Sequence, residues 1–173
     1  MRLSSIIFGK KVKQIRAMGK GLEIKKYSEY HREQLLDVWE KSVLATHDFL
    51  KPEDFKAIKQ AVFNIDFQEF EVYCLLKSSI LLGFLGVAEQ KVEMLFLSPD
   101  CFGQGLGKKL MAFAVQVLKA NKVDVNEQNK QAVHFYKKLG FEIYERTDTD
   151  DQGKPYPLLR LSLPAHAVKA LAC

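Results

Sequence analysis

Residues Leu97 to Met111 read LSPDCFGQGLGKKLM, with glycines at alternate positions 103, 105 and 107. An apolar strand-like run enters this stretch and an amphipathic helix-like run leaves it. No other feature constrains the chain as tightly. Glycines admit positive φ and let the backbone approach an anion. A helix starting there offers free N–H groups and the positive end of its dipole. Lys108 and Lys109 add charge. The stretch has the chemistry of a phosphate or pyrophosphate cradle, and a tight turn without a ligand is the alternative. Spacing excludes two common cradles. A Walker A loop would need glycine at Phe102 and Ser or Thr at Lys109. A dinucleotide fingerprint would need glycine at Lys108 or Leu110.

Around this loop the pattern alternates between helix and strand periods. Leu22 to Tyr27 reads as a first strand, and Ser28 as an N-cap. Leu35, Leu36, Trp39 and Val43 then form a helical stripe. Pro52 suits the first turn of a second helix with Phe55, Ile58, Ala61 and Val62 on its apolar face. Three apolar runs follow, Phe70 to Lys77, Ile80 to Glu89 and Val92 to Leu97. Ser78-Ser79 and Glu89-Gln90-Lys91 join them, which predicts an antiparallel meander. After the glycine loop come a helix to about Lys119 and a strand from Lys122 to Asn126. A helix opened by Asn126 or Gln128 carries Ala132, Phe135, Tyr136 and Leu139 inward and closes at Gly140. Phe141 to Arg146 and Pro157 to Leu163 make a last pair of strands. The predicted order is β-α-α-β-β-β-α-β-α-β-β, an α/β chain with a mixed sheet.

Charge narrows the partners. The chain carries a formal +5. Residues 1–21 hold six basic side chains and no acidic one, which leaves the other residues with twenty basic and twenty-one acidic. The excess belongs to a basic leader, predicted to be flexible, and its single aromatic, Phe8, is not an interleaved set for base stacking. Nucleic acid is therefore disfavoured as a partner, although an arm that binds a polyanion and an upstream start before Met18 remain alternatives. Residues 22–165 form the predicted domain and 166–173 a short tail. No apolar run reaches the roughly 18–20 residues that span a bilayer, and Leu3 to Phe8 ends in lysines without a cleavage site. A cytoplasmic protein without a membrane partner is expected. Cys74, Cys101 and Cys173 lack metal-ligand spacing, so no metal site and no disulfide framework is expected.

The glycine loop does not stand alone. Phe102 to Lys108, FGQGLGK, resembles motif A of the GCN5-related N-acetyltransferases, Arg/Gln-x-x-Gly-x-Gly/Ala. Asn129 to Phe141, NKQAVHFYKKLGF, resembles that family's N-x-x-A-x-x-F-Y-x-x-x-G-F segment. The two blocks stand in the family's order, one helix and one strand apart. Ala45 to Leu50, Val125 to Asn129 and Gly153 to Leu159 look closer still to a bacterial branch of the family. The resemblance covers about residues 22–163. It implies a mostly antiparallel mixed sheet with a V-shaped splay between two central parallel strands, Val92–Leu97 and Lys122–Asn126, flanked by about four helices.

It also implies transfer of an acetyl group from acetyl-CoA, as cosubstrate, to an amine on a small molecule or a protein. In that scheme the backbone of Leu95, Phe96 and Leu97 pairs with the pantetheine arm. The loop Gly103, Gln104, Gly105, Leu106, Gly107 and Lys108 holds the pyrophosphate, and Asn126 and Asn129 bind the cofactor. Tyr136 borders the sulfur and protonates the leaving thiolate. The family leaves a homodimer open. Phe102 departs from the Arg or Gln usual at its position, so a polar contact is replaced by a phenyl ring at the cofactor site.

Each candidate has a plainer alternative. Tyr136 sits on the apolar face of its helix and could simply pack. Glu93 on its strand suits deprotonation of the amine through water, or a solvated edge. His47, one turn after Val43, fits an acceptor wall and has the pKa of a base, or else is a packed histidine. Phe49 and Tyr156 are placed with it in acceptor binding, with strand-edge packing the alternative for Tyr156. His134 falls off the apolar face and is expected to be exposed. A CoA-binding module with little turnover is the alternative to an enzyme.

Overall fold

The structure, a computed structural model, describes residues 21–168 and 171. The basic leader and Cys173 lie outside the described residues, apart from Gly21. Seven strands are described: β1 (Leu22–Lys26), β2 (Glu71–Lys77), β3 (Ile80–Ala88), β4 (Lys91–Leu97), β5 (Lys122–Asn126), β6 (Glu142–Thr147) and β7 (Leu158–Ser162). The helices are α1 (Arg32–Thr46), α2 (Pro52–Phe63), α3 (Leu106–Gln116), α4 (Lys130–Lys138) and the short α5 (Ala165–Val168). The expected order is present, with α5 added where the predicted domain passes into the predicted tail.

The strands form one sheet in the order β1-β2-β3-β4-β5-β7-β6. The β2–β3 and β3–β4 connections are tight turns whose two central residues all take positive φ: Ser78 at 49° and Ser79 at 70°, Glu89 at 47° and Gln90 at 65°. That sign pair marks the type I′ geometry, whose twist matches the flanking strands. Every neighbouring pair is antiparallel except β4 with β5. That parallel pair has two rungs, Lys91 with Lys122 and Val92 with Val123. Beyond them the strands no longer pair, and the sheet opens.

Alternation along the strands divides the core between the two faces. Cys74 and Phe84 face one side, where Leu35, Trp39 and Val43 of α1 and Phe67 pack. Leu75 and Leu85 face the other, with Leu110, Met111 and Ala114 of α3 and Leu161 of β7. Trp39 stacks on Phe55 of α2 with ring centroids 6.1 Å apart and planes 7° from parallel.

Three helix ends differ from expectation. Ser28 caps a 3₁₀ turn, Glu29–His31, and α1 begins only at Arg32. α3 stops at Gln116 rather than near Lys119, because Lys119 turns left-handed at φ 62° and Ala120 N–H reaches back to the Ala114 carbonyl. α4 starts after Asn129, whose Oδ1 accepts from Ala132 N–H at 3.0 Å. Among the described residues no helix is long and apolar enough to cross a membrane, and no group of three His, Cys, Asp or Glu side chains could hold a metal. Cys74 and Cys101 are buried free thiols.

Candidate active site

A cleft of about 550 Å³ is lined on one wall by Leu95, Phe96 and Leu97 of β4. The glycine loop and the start of α3 form its mouth, with Phe102, Gly103, Gly105, Leu106, Gly107 and Lys108. Asn129, Ala132, Phe135 and Tyr136 approach from α4, and Ser42, Thr46 and His47 from the end of α1.

The loop is built for a close visitor. Gly103 and Gly105 take φ of 74° and 76°, and a Cβ added at either would meet nothing within 4 Å. The space in front of the loop is therefore open, and a side chain would intrude on it. Gly105 is the N-cap of α3, so helix geometry leaves the first amides of α3 without internal partners. Those amides and Lys108 suit a diphosphate. Gly107 serves packing instead, since a Cβ there would come within 3.2 Å of the Phe135 ring. It lets α3 and α4 approach. Gln104 turns its side-chain amide back to the Asp100 carbonyl at 2.9 Å and is not among the lining residues. Phe102 lines the cleft with its residue 39% exposed, so its ring is available at the mouth rather than sealed in the core.

Tyr136 is buried between Phe135 and Phe141, at centroid distances of 5.1 and 5.7 Å. Its hydroxyl has no hydrogen-bond partner among the described residues. Burial raises the phenol pKa above its ordinary value, so the proton stays on at neutral pH. Asn129 lines the cleft while its Oδ1 caps α4, which leaves its amide N–H groups for the cleft. Asn126 lies at the end of β5, and its carbonyl accepts from Asn129 N–H at 3.0 Å.

The remaining candidates are spread out. Glu93 is exposed, and its carboxylate pairs with Lys91 at 3.0 Å. It is not among the lining residues. His47 lines the cleft and contacts Phe49, with ring centroids 5.3 Å apart. Phe49 in turn meets Tyr156 at 6.1 Å. The Tyr156 hydroxyl donates to Asp54 Oδ2 at 2.6 Å and accepts from Lys51 N–H at 3.1 Å. Lys154 Nζ completes this cluster at 2.8 Å from Asp54 Oδ1. Tyr156 thus anchors the β6–β7 loop, while His47 reaches the cleft. His134 is exposed, as expected.

Ser42 and Thr46 are lining residues that sequence reasoning passed over. The signal was present: they continue the α1 stripe of Leu35, Trp39 and Val43 with small polar side chains where apolar ones would be expected.

A mixed sheet that parts between neighbouring parallel strands, with a glycine cradle and a helix N-terminus at the gap, defines an acyl-CoA-dependent transferase. Residues 28–154 match the model of the acetyltransferase (GNAT) domain. The chain is 37% identical over 144 residues to the peptidyl-lysine N-acetyltransferase YjaB of Salmonella typhimurium, covering 83% of this chain and 99% of that one. Its fold is similar to apo-form YjaB from Escherichia coli in solution, with a TM-score of 0.76, 37% identity and coverage of 82% and 96%. At 24% identity it also resembles the PaiA N-acetyltransferase of Thermoplasma acidophilum in complex with coenzyme A, with a TM-score of 0.62 and coverage of 82% and 98%. The chain belongs to the GNAT acetyltransferase family and is an acetyl-CoA-dependent N-acetyltransferase.

Proposed function

We propose that this protein transfers the acetyl group of acetyl-CoA to the ε-amine of a lysine in a protein acceptor. The observation that carries the reading is the open gap between β4 and β5. The parallel pairing ends at Val92, so the edge of β4 turned towards β5 has no strand partner from Glu93 on among the described residues. An extended pantetheine arm carries amides that can pair with Leu95 to Leu97 as an added strand. The open cradle at Gly103 and Gly105 then receives the pyrophosphate, and the Asn129 amide donates to the cofactor. The bound cosubstrate supplies a thioester-activated acetyl group. Tyr136, held protonated by burial, gives its proton to the departing sulfur. Phe102 offers a ring face at the mouth in place of a polar contact. The lysine acceptor is supported by the YjaB relatives, which are named as peptidyl-lysine N-acetyltransferases.

The test is calorimetric titration with acetyl-CoA and CoA, followed by mass spectrometry of an Nα-blocked lysine peptide incubated with enzyme and acetyl-CoA. Wild type should bind both ligands and acetylate the ε-amine. Gly105→Glu places a negative side chain in the cradle and should bind neither. Binding without acetylation would favour a CoA-binding module, and absence of binding would remove the cofactor reading.

A further inference from the structure

The end of α1 carries a short hydrogen-bond relay that neither the glycine cradle nor Tyr136 uses. Thr46 Oγ1 donates to the Ser42 carbonyl at 2.7 Å. The same oxygen lies 2.8 Å from Nδ1 of His47. A hydroxyl has one proton, and here it is engaged by the carbonyl. The proton in the Thr46–His47 contact therefore belongs to Nδ1, with the threonine oxygen accepting. In the neutral ring that leaves Nε2 unprotonated, with a lone pair free to accept a proton. The ring is held at this angle by its place in the chain. His47 is the C-cap of α1, its backbone N–H donates to the Val43 carbonyl at 2.8 Å, and Phe49 packs on one side. Ser42, Thr46 and His47 all line the cleft that Tyr136 lines.

We infer that His47 is the base that takes the proton from the acceptor amine through Nε2, and that Thr46 is the positioning residue that sets its tautomer. The inference rests on the acetyl-transfer reading above. Glu93, the carboxylate weighed for the same role, is paired with Lys91 and is not among the lining residues. A lysine ammonium reaching the cleft gives one proton to Nε2, and its nitrogen gains a free lone pair. The nitrogen forms a bond to the acetyl carbon as the carbon–sulfur bond breaks. The sulfur takes the Tyr136 proton, and Tyr136 regains one from the nitrogen, which becomes the amide. His47 releases its extra proton to solvent. Burial lowers the His47 pKa, against a smaller upward pull on the ring from the Val43 backbone carbonyl and the Asp48 charge, so the ring is neutral at pH 7. Cys101, Lys108, Tyr136 and Lys138 are the other titratable groups lining the cleft.

Two measurements test this. The first is ¹⁵N NMR of the histidine ring in the ligand-free protein, with the signal assigned through His47→Gln. Wild type should show the Nδ1–H tautomer, and Thr46→Val should shift the ring towards Nε2–H. An Nε2–H ring in wild type overturns the relay. The second is kinetics on the Nα-blocked lysine peptide across pH. His47→Gln should keep acetyl-CoA affinity within about threefold and lose roughly 100-fold or more in kcat, the scale of a general base. The acid limb of kcat/KM, set in wild type by a group below about 6.5, should vanish with it. Thr46→Val should lose kcat by a smaller factor with little change in the KM for acetyl-CoA. Full kcat in His47→Gln overturns the base alone, whereas a wild type that binds acetyl-CoA and leaves the peptide untouched overturns the lysine reading beneath it.

Discussion

The Tyr156 hydroxyl and the Asp54 carboxylate meet at 2.6 Å although 102 residues of chain separate them. The contact ties the β6–β7 loop to the first turn of α2, and Lys154 joins it from the same loop at 2.8 Å. Hydrogen bonds from Lys154 and then Tyr156 pull the Asp54 pKa below the ordinary carboxylate value. A lowered folded-state pKa stabilises the fold above the unfolded value of about 3.9, and the contribution is lost as pH falls through the lowered value. Asp54→Asn should therefore melt below wild type at neutral pH, and the two curves should converge in acid. Thermal denaturation between roughly pH 3 and pH 7 reads this window; a gap independent of pH would show that the carboxylate charge is not what holds the loop.

Gly83 and Gly105 should respond oppositely to alanine. A Cβ at Gly83 would lie 2.6 Å from the Phe96 carbonyl oxygen and 3.3 Å from Leu97 Cα, both backbone atoms of β4. Gly83→Ala must push β4 aside, at the cost of overpacking, about 1–3 kcal/mol. Gly105→Ala meets open space and carries only the strain of positive φ, about 1–2 kcal/mol, but it fills the cradle. Urea midpoints should rank Gly83→Ala as the less stable variant, while acetyl-CoA titration should show the larger affinity loss at Gly105→Ala.

Phe102 occupies a position where the family pattern has Arg or Gln. Phe102→Arg should tighten acetyl-CoA binding by roughly 10-fold or more, since one added charge-assisted hydrogen bond is worth about 1.5–3 kcal/mol. The gain should shrink as salt rises. Titration at two ionic strengths checks it, and unchanged affinity would mean that the backbone cradle and the phenyl ring already satisfy the cofactor.

Tyr136→Phe keeps the ring that packs between Phe135 and Phe141. Its acetyl-CoA affinity should stay within about threefold while kcat falls by roughly 100-fold or more, the range for loss of a general acid. In wild type the raised pKa places the deprotonation of Tyr136 above the phenol's ordinary value of about 10. No alkaline loss of kcat from this group should appear below that pH. Retained kcat in the phenylalanine variant would assign the proton to water.

Much of the fold was legible because its signals are local. Helical stripes, strand alternation and turn residues define the elements within windows of a few residues, and their order follows. The glycine loop could be read the same way, since positive φ at Gly103 and Gly105 and the helix that leaves them are properties of a short segment. Helix ends were less legible: Lys119 stops α3 in a left-handed conformation that its residue type does not favour.

What the sequence by itself determined is the order of the elements, the type of sheet, the cradle and the candidate proton donor on α4. The tertiary structure decided how far β4 and β5 pair, which leaves two rungs and then the gap. It drew Ser42 and Thr46 to the cleft wall and left Glu93 out of it. It also joined Asp54 to Tyr156. The β4–β5 gap and the Asp54–Tyr156 contact involve residues far apart in the chain, and their geometry is set by the packing of the helices against a twisted sheet. No periodicity within one segment encodes it.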